Sequence, residues 1–217
     1  MLNPQTTHMF REASEVGEMI ERQLGSLAET EKLVAQVQES QSTSFLTIAR
    51  GSSDHAANYF SYLVTSQLGI ISSSLSPSIV TVHHAPLQVA NATVFGFSQS
   101  GASPDLVESV QYLTQHGAHA IACVNQKDSP LSHVAQAQWP IQAGTEQSVA
   151  ATKSCIGIMS LAAQWVALWQ NNQQLLSNIE QLSKLTAAAA FMLAESDLNT
   201  FNAIDQAFVI GRGLSHS

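Results

Sequence analysis

Phe95-Gly96-Phe97-Ser98-Gln99-Ser100-Gly101-Ala102-Ser103-Pro104-Asp105 runs through the middle of this chain. It reads in succession as a buried strand, a hydroxyl-rich loop and the first turn of a helix. Thr93 to Phe97 is apolar and β-prone. Ser98, Gln99 and Ser100 then place side-chain donors side by side, and Gly101 lets the backbone turn closely. Ser103 suits an N-cap, Pro104 the first helical position and Asp105 the first turn. The helix therefore starts beside the hydroxyls. Its free N–H groups and the positive end of its dipole point into one small space, which suits a phosphate. The same residues also suit an ordinary serine-rich cap, so the rest of the chain has to decide between the two.

Outward from this unit the pattern repeats. Ser44 to Arg50 reads as a strand, and Gly51-Ser52-Ser53-Asp54 turns into a helix reaching Leu68. Ile79 to His83 reads as a short strand, Ala92 to Phe97 as the next, and the helix from Ser103 to Gln115 ends at Gly117. Ala118 to Val124 and Ala137 to Gln142 complete five strands, with a short helix opening at Lys127-Asp128-Ser129-Pro130 between them. Ala143-Gly144-Thr145-Glu146 is a loop before a long apolar helix, Val149 to Trp169. Strands alternating with helices predict an α/β fold: a three-layer αβα sandwich around a doubly wound, parallel, five-stranded sheet. Ligands of such sheets bind beyond the carboxyl ends of the strands. The loops at Ser52–Ser53, Ser98–Ser103 and Gly144–Val149 all follow strands and are expected at that end. Ahead of the sheet, Thr7 to Leu27 and Glu29 to Val37 carry apolar residues at helical spacing.

Composition narrows the function. The 217 residues are 45% hydrophobic and 11% charged, enough for one large, well-filled domain. A net charge of −8 argues against a nucleic-acid groove. No apolar run is long enough to span a membrane, and Met1-Leu2-Asn3-Pro4-Gln5 does not resemble a secretory signal. Cys123 and Cys155 lie in apolar segments and read as free thiols of a reducing, cytoplasmic compartment. They have no zinc spacing, and neither metal nor cofactor is expected. At the far end, Ile210-Gly-Arg-Gly-Leu-Ser-His216 resembles Ile48-Ala-Arg-Gly-Ser-Ser-Asp-His55. This internal repeat suggests that a second copy of the α/β unit begins there.

Taken together, the three loops resemble those of the sugar isomerase (SIS) family, a flavodoxin-like fold. More narrowly they resemble the isomerase half of glucosamine-6-phosphate synthase and its stand-alone deaminase relatives. The resemblance rests on Ser98-Gln99-Ser100-Gly101, on Gly51-Ser52-Ser53, and on Ala143-Gly144-Thr145-Glu146 with Val149-Ala150 and Thr152-Lys153. It implies a division into a helical arm (1–27), a first SIS domain (28–172), a helical connector (173–203) and the first strand and loop of a second domain (204–217). It further implies that Ser98, Ser100 and Ser103 hold a phosphate. Ser53 and Gln99, with Ser52 beside them, would hold sugar hydroxyls, and the Val149 backbone the amino or hydroxyl end of the sugar. Ser103 replaces the synthase's usual threonine and keeps the hydroxyl, whereas Ala151 replaces a serine and removes one contact.

Aldose–ketose chemistry needs a base that shuttles a proton between adjacent carbons and an acid that opens the ring. The resemblance places the base and lysines in a second SIS domain, beyond Ser217, and a histidine on a neighbouring subunit of a homodimer. Within the chain Glu146 is a weak catalytic candidate that serves equally well as a helix N-terminal acid. With no glutaminase segment ahead of the arm, the expected reaction is deamination of glucosamine 6-phosphate to fructose 6-phosphate and ammonia. The alternatives are another phosphosugar isomerase, a fructosamine-phosphate deglycase, or a phosphosugar-binding module without turnover. Lys153 reads either as a phosphate partner or as a solvated helix-start lysine. His55 reads as packing or capping, His83-His84 as structural or surface residues, and Trp139, Trp165 and Trp169 as core or interface.

Overall fold

A computed structural model describes residues 6–148, 150–189, 204, 206, 208 and 210–216. Five parallel strands form one sheet in the order β2-β1-β3-β4-β5: β1 Ser44–Ala49, β2 Ile71–Ser74, β3 Ala92–Ser98, β4 His119–Val124 and β5 Ala137–Pro140. The sheet grows outward from β1 and β3 in both directions, the doubly wound arrangement expected. All seven residues of β3, the central strand, are buried.

Side chains alternate across the sheet with period two. One face carries Phe45, Phe95, Phe97 and Trp139, which meet Phe60 of helix α4 (Ser52–Leu68) and Trp165 of helix α8 (Lys153–Trp169). Phe60 stands at the centre of this cluster, with ring centroids 4.7 Å from Phe95 and 5.5 Å from Phe97. The other face is built from smaller residues, among them Ala92, Val94, Ala120 and Ala122. Small side chains let helix α6 (Pro104–Gln115) and the short helix α7 (Pro130–Val134) approach closely, while the short helix α5 (Pro77–Thr81) packs against α6. At Gly96 an added methyl would already press on Leu131 and Val110 at 3.3 Å.

The helical arm differs from the single early helix predicted. It is broken at Glu15 into α1 (His8–Ser14) and α2 (Val16–Gly25), followed by α3 (Leu27–Glu39). Helix α3 and the sheet are tied by a buried hydrogen bond, Trp139 Nε1 to Thr30 Oγ1 at 3.0 Å. The segment 77–81 corrects a second expectation. Its β-branched residues suggest a strand, yet it is helix α5, because Ser76 stands at the N-cap and Pro77 fixes the first helical turn. The edge strand lies earlier, at Ile71–Ser74, where backbone pairing to β1 outweighs a hydroxyl-rich sequence of low apparent strand signal. The long apolar helix starts at Lys153 rather than Val149. Helix α9 occupies Gln173–Ala189. The rest of the connector falls outside the described residues; of the strand and loop expected at 204–217, the described residues 204, 206, 208 and 210–212 are in no regular element, and Gly213–His216 form a single 3-10 turn. Among the described residues no helix is long and apolar enough to cross a membrane.

Candidate functional site

Beyond the carboxyl ends of β1 and β3 lies a cavity of about 320 Å³. Ser52, Ser53, Ser98, Gln99, Ser100 and Ser103 all line it, so six of the seven predicted binding residues meet in one place. The seventh, Val149, lies outside the described residues. Two helices begin at the cavity wall, α4 after Gly51 and α6 after Ser103, and neither carries a side-chain cap. No N-cap side chain therefore blocks either helix start, although within the first turn of α6 the Asp105 carboxylate accepts from Leu106 N at 2.9 Å.

The hydroxyls divide by what they are already doing. Ser98 Oγ accepts from Gly101 N at 2.9 Å and Ser100 Oγ from Ala102 N at 3.3 Å, which holds the tight turn. Ser103 has the extended backbone of an N-cap, φ −66° and ψ 117°, but its hydroxyl makes no cap bond. The expected cap is present in backbone only, leaving the side chain for a ligand. Ser52, Ser53 and Gln99 likewise spend no side-chain hydrogen bond among the described residues. Ala151 lines the same wall with a methyl group where a hydroxyl would otherwise sit.

Two lining residues escaped the sequence reading, Arg50 and Ser148. Arg50 supplies positive charge at the end of β1 and bonds Asp105, the first-turn acid of α6, in a solvent-exposed pair. Its place directly before Gly51-Ser52 was a usable signal: a cation abutting a hydroxyl loop complements a phosphate. Glu146 does line the cavity, but its carboxylate is spent on the start of α8. It accepts from Thr152 N at 2.8 Å, Ser154 N at 3.3 Å and Ser154 Oγ at 2.5 Å. Of the two roles weighed for Glu146, the helix-start acid is the one its hydrogen bonds display.

Lys153 fits neither expectation. Its side chain is 1% exposed, and Nζ donates to Glu15 Oε2 at 2.5 Å and Thr145 O at 2.8 Å. It is a buried ion-pair partner of the arm and does not line the cavity. His55 is exposed, and so are His83 and His84, which follow helix α5 rather than a strand. No group of three metal-ligating side chains occurs among the described residues. Both cysteines are free thiols. Burial pushes the Cys123 thiol well up, and burial together with the Glu146 charge pushes Cys155 up, so neither is poised as a thiolate nucleophile.

Behind the cavity wall, the buried Glu12 accepts from Gln147 N at 2.5 Å and from the Ser148 hydroxyl. Burial raises its pKa, but the backbone N–H of Gln147 and the Ser148 bonds, helped by the Lys153 charge, more than offset this. The carboxyl is held below its ordinary value of 4.5. Since the folded value lies below the unfolded one, its stabilisation is fully present above pH 4.5 and is lost as pH falls through the folded value. Urea unfolding from pH 7 to pH 3 is expected to show a steeper acid loss for the native protein than for Glu12→Gln.

Comparison with known proteins agrees with this geometry. A family model described as the SIS domain matches residues 40–168. The glutamine–fructose-6-phosphate aminotransferase (isomerizing) of Sulfolobus acidocaldarius is 28% identical over 167 residues, 71% of this chain and 27% of the relative. A crystal structure from Silicibacter pomeroyi, described as a phosphosugar isomerase, superposes with TM-score 0.80 at 34% identity, covering 84% of this chain and 56% of that one. The C-terminal domain of glucosamine-fructose-6-phosphate aminotransferase from Francisella tularensis, 18% identical, shares the fold with TM-score 0.69 over 84% of this chain and 54% of its own. This chain thus spans about half the length of those two structures and about a quarter of the Sulfolobus relative. With the parallel five-stranded sheet and a family match running from just before β1 to the last turn of α8, the chain belongs to the SIS domain family.

Proposed function

We propose that this chain carries the phosphosugar-gripping part of an isomerase-type active site, and that its substrate is glucosamine 6-phosphate. The observation that carries the reading is the meeting of Ser53, Ser98, Gln99, Ser100 and Ser103 at one cavity flanked by two uncapped helix starts. In this reading Ser98, Ser100 and Ser103 donate to the phosphate, with Arg50 adding charge from the rim. Ser52, Ser53, Gln99 and the Val149 backbone hold the sugar. The similarity to glutamine–fructose-6-phosphate aminotransferases supports an amino-sugar substrate. The reaction proposed is ring opening, a proton shift from the carbon bearing nitrogen to the neighbouring carbon giving a fructose-type imine, and hydrolysis to fructose 6-phosphate and ammonia.

Among the described residues the cavity offers no uncommitted carboxylate, since Glu146 is held by the start of α8. The base is therefore assigned to a segment outside the described residues, and a homodimer would bring further groups to the site. The same proposal divides the chain into arm 1–27, SIS domain 28–172, connector 173–203 and the start of a second copy at 204–217.

The decisive experiment is ammonia release from glucosamine 6-phosphate by the full-length protein, with fructose 6-phosphate measured in parallel. Both products together would establish the deaminase. Binding without turnover would favour a phosphosugar-binding module, and neither binding nor turnover would remove the reading. Ser103→Ala is expected to weaken glucosamine 6-phosphate about tenfold in calorimetric titration, the worth of one charge-assisted hydrogen bond. Its melting temperature should not change, because the Ser103 hydroxyl makes no bond among the described residues.

A further inference from the structure

Between β5 and α8 the described residues 141–148 and 150–152 form no regular secondary structure, yet they wall the cavity through Glu146, Ser148 and Ala151. Backbone of this kind needs partners for its polar groups, and the partners decide where it stands. Many of them come from the arm, more than a hundred residues away in sequence. Gln23 Nε2 donates to Ile141 O at 2.7 Å, and Arg22 Nε to Gln142 O at 3.2 Å. Lys153, anchored on Glu15, donates to Thr145 O. Glu12 takes the N–H groups of Gln147 and Ser148 and the Ser148 hydroxyl. From the sheet side Asn125 fixes the middle, accepting from Ala143 N and donating to Gly144 O, both at 2.7 Å.

Glu12 stands out among these contacts. It is 5% exposed, forms no ion pair within bonding distance among the described residues, and directs both carboxylate oxygens at the loop. A buried carboxylate is costly to keep unless its hydrogen bonds are specific. We propose that Glu12 is a positioning residue for the candidate site: through Gln147 and Ser148 it sets the wall that faces the sugar, while the phosphate loop 98–103 stands without it. This rests on the phosphosugar reading of the cavity for its ligand, but not for the clamp itself.

Two measurements on full-length Glu12→Gln test it, because an amide keeps the shape but cannot accept from all three donors. Hydrogen exchange at the Gln147 and Ser148 amides should quicken about tenfold, with exchange in β3 unchanged. Glucosamine 6-phosphate should bind about tenfold more weakly, while inorganic phosphate binds as before. Glu12→Asp, which keeps the charge one methylene short, should recover part of both effects. Unchanged loop exchange in Glu12→Gln would overturn the proposal. So would equal loss of both ligands together with faster exchange throughout the sheet, the pattern of a purely structural residue. If the native protein bound neither ligand, the phosphosugar reading would fall, and loop exchange alone would still decide whether Glu12 positions the segment.

Discussion

Gly101→Ala is expected to destabilise the protein by roughly 3 kcal/mol and to abolish measurable phosphosugar binding. Two costs combine. Gly101 has φ +62°, a left-handed conformation that costs a residue with a β-carbon about 1 kcal/mol. The new β-carbon would also stand 2.3 Å from Ser129 Oγ and 2.6 Å from Ser129 Cβ. Ser129 cannot swing aside cheaply. It is 1% exposed and locked in a capping box with Ser132 at the start of α7, and Leu131 N bonds the Gly101 carbonyl at 2.9 Å. Overpacking at such a site costs about 1–3 kcal/mol. At this chain size the sum corresponds to a melting temperature lower by about 6–12 °C, readable by calorimetry. The effect on binding follows from the same contacts, because Gly101 N holds Ser98 Oγ and any shift moves the hydroxyl row. Gly144→Ala is the control. It also has positive φ, +71°, but its β-carbon would meet nothing nearer than Arg22 Nη2 at 3.8 Å. It is expected to cost about 1 kcal/mol, the dihedral share alone.

The difference between these two glycines marks how far a sequence can be read. Turn chemistry is local, so the strand–hydroxyl loop–helix units at 44–68 and 93–115 were legible, and parallel order with shared loop positions followed from them. Where local signals conflicted, a helix-start proline decided one case and strand pairing the other. Ile79, Val80 and Thr81 look like strand but follow Pro77 into a helix, while Ile71–Ser74 looks like loop but pairs with β1. The six side chains that meet at the cavity were legible because each sits next to its own loop's turn residues. The clamp was not. Glu12 and Ser148 are 136 residues apart, and nothing in the spacing of the arm's acids singles out those that reach the loop. Arg50 was within reach as a cation at the end of a strand, but only the fold puts Asp105 and the loop 98–103 beside it.

Lys153 shows the same limit, and its energetics give the second large effect. Glu15→Gln is expected to cost about 3 kcal/mol, more than Lys153→Met at about 1–2 kcal/mol, although both break one ion pair. The asymmetry comes from burial: the lysine side chain is 1% exposed and the glutamate 48%. Removing the carboxylate strands an ammonium away from water, with the Thr145 carbonyl and the field of Glu12 as its remaining support. Removing the ammonium leaves a carboxylate that water can solvate, a methionine that fills the space, and one carbonyl short of a donor. The double variant Glu15→Gln/Lys153→Met should therefore lie within about 0.5 kcal/mol of Lys153→Met alone, since no buried charge is left to strand. Equal costs for the two single variants in urea unfolding would mean that water reaches Lys153 in solution. A larger cost for Glu15→Gln, recovered in the double variant, would mean that the buried Lys153–Glu15 pair ties the loop before α8 to the arm through that one nitrogen.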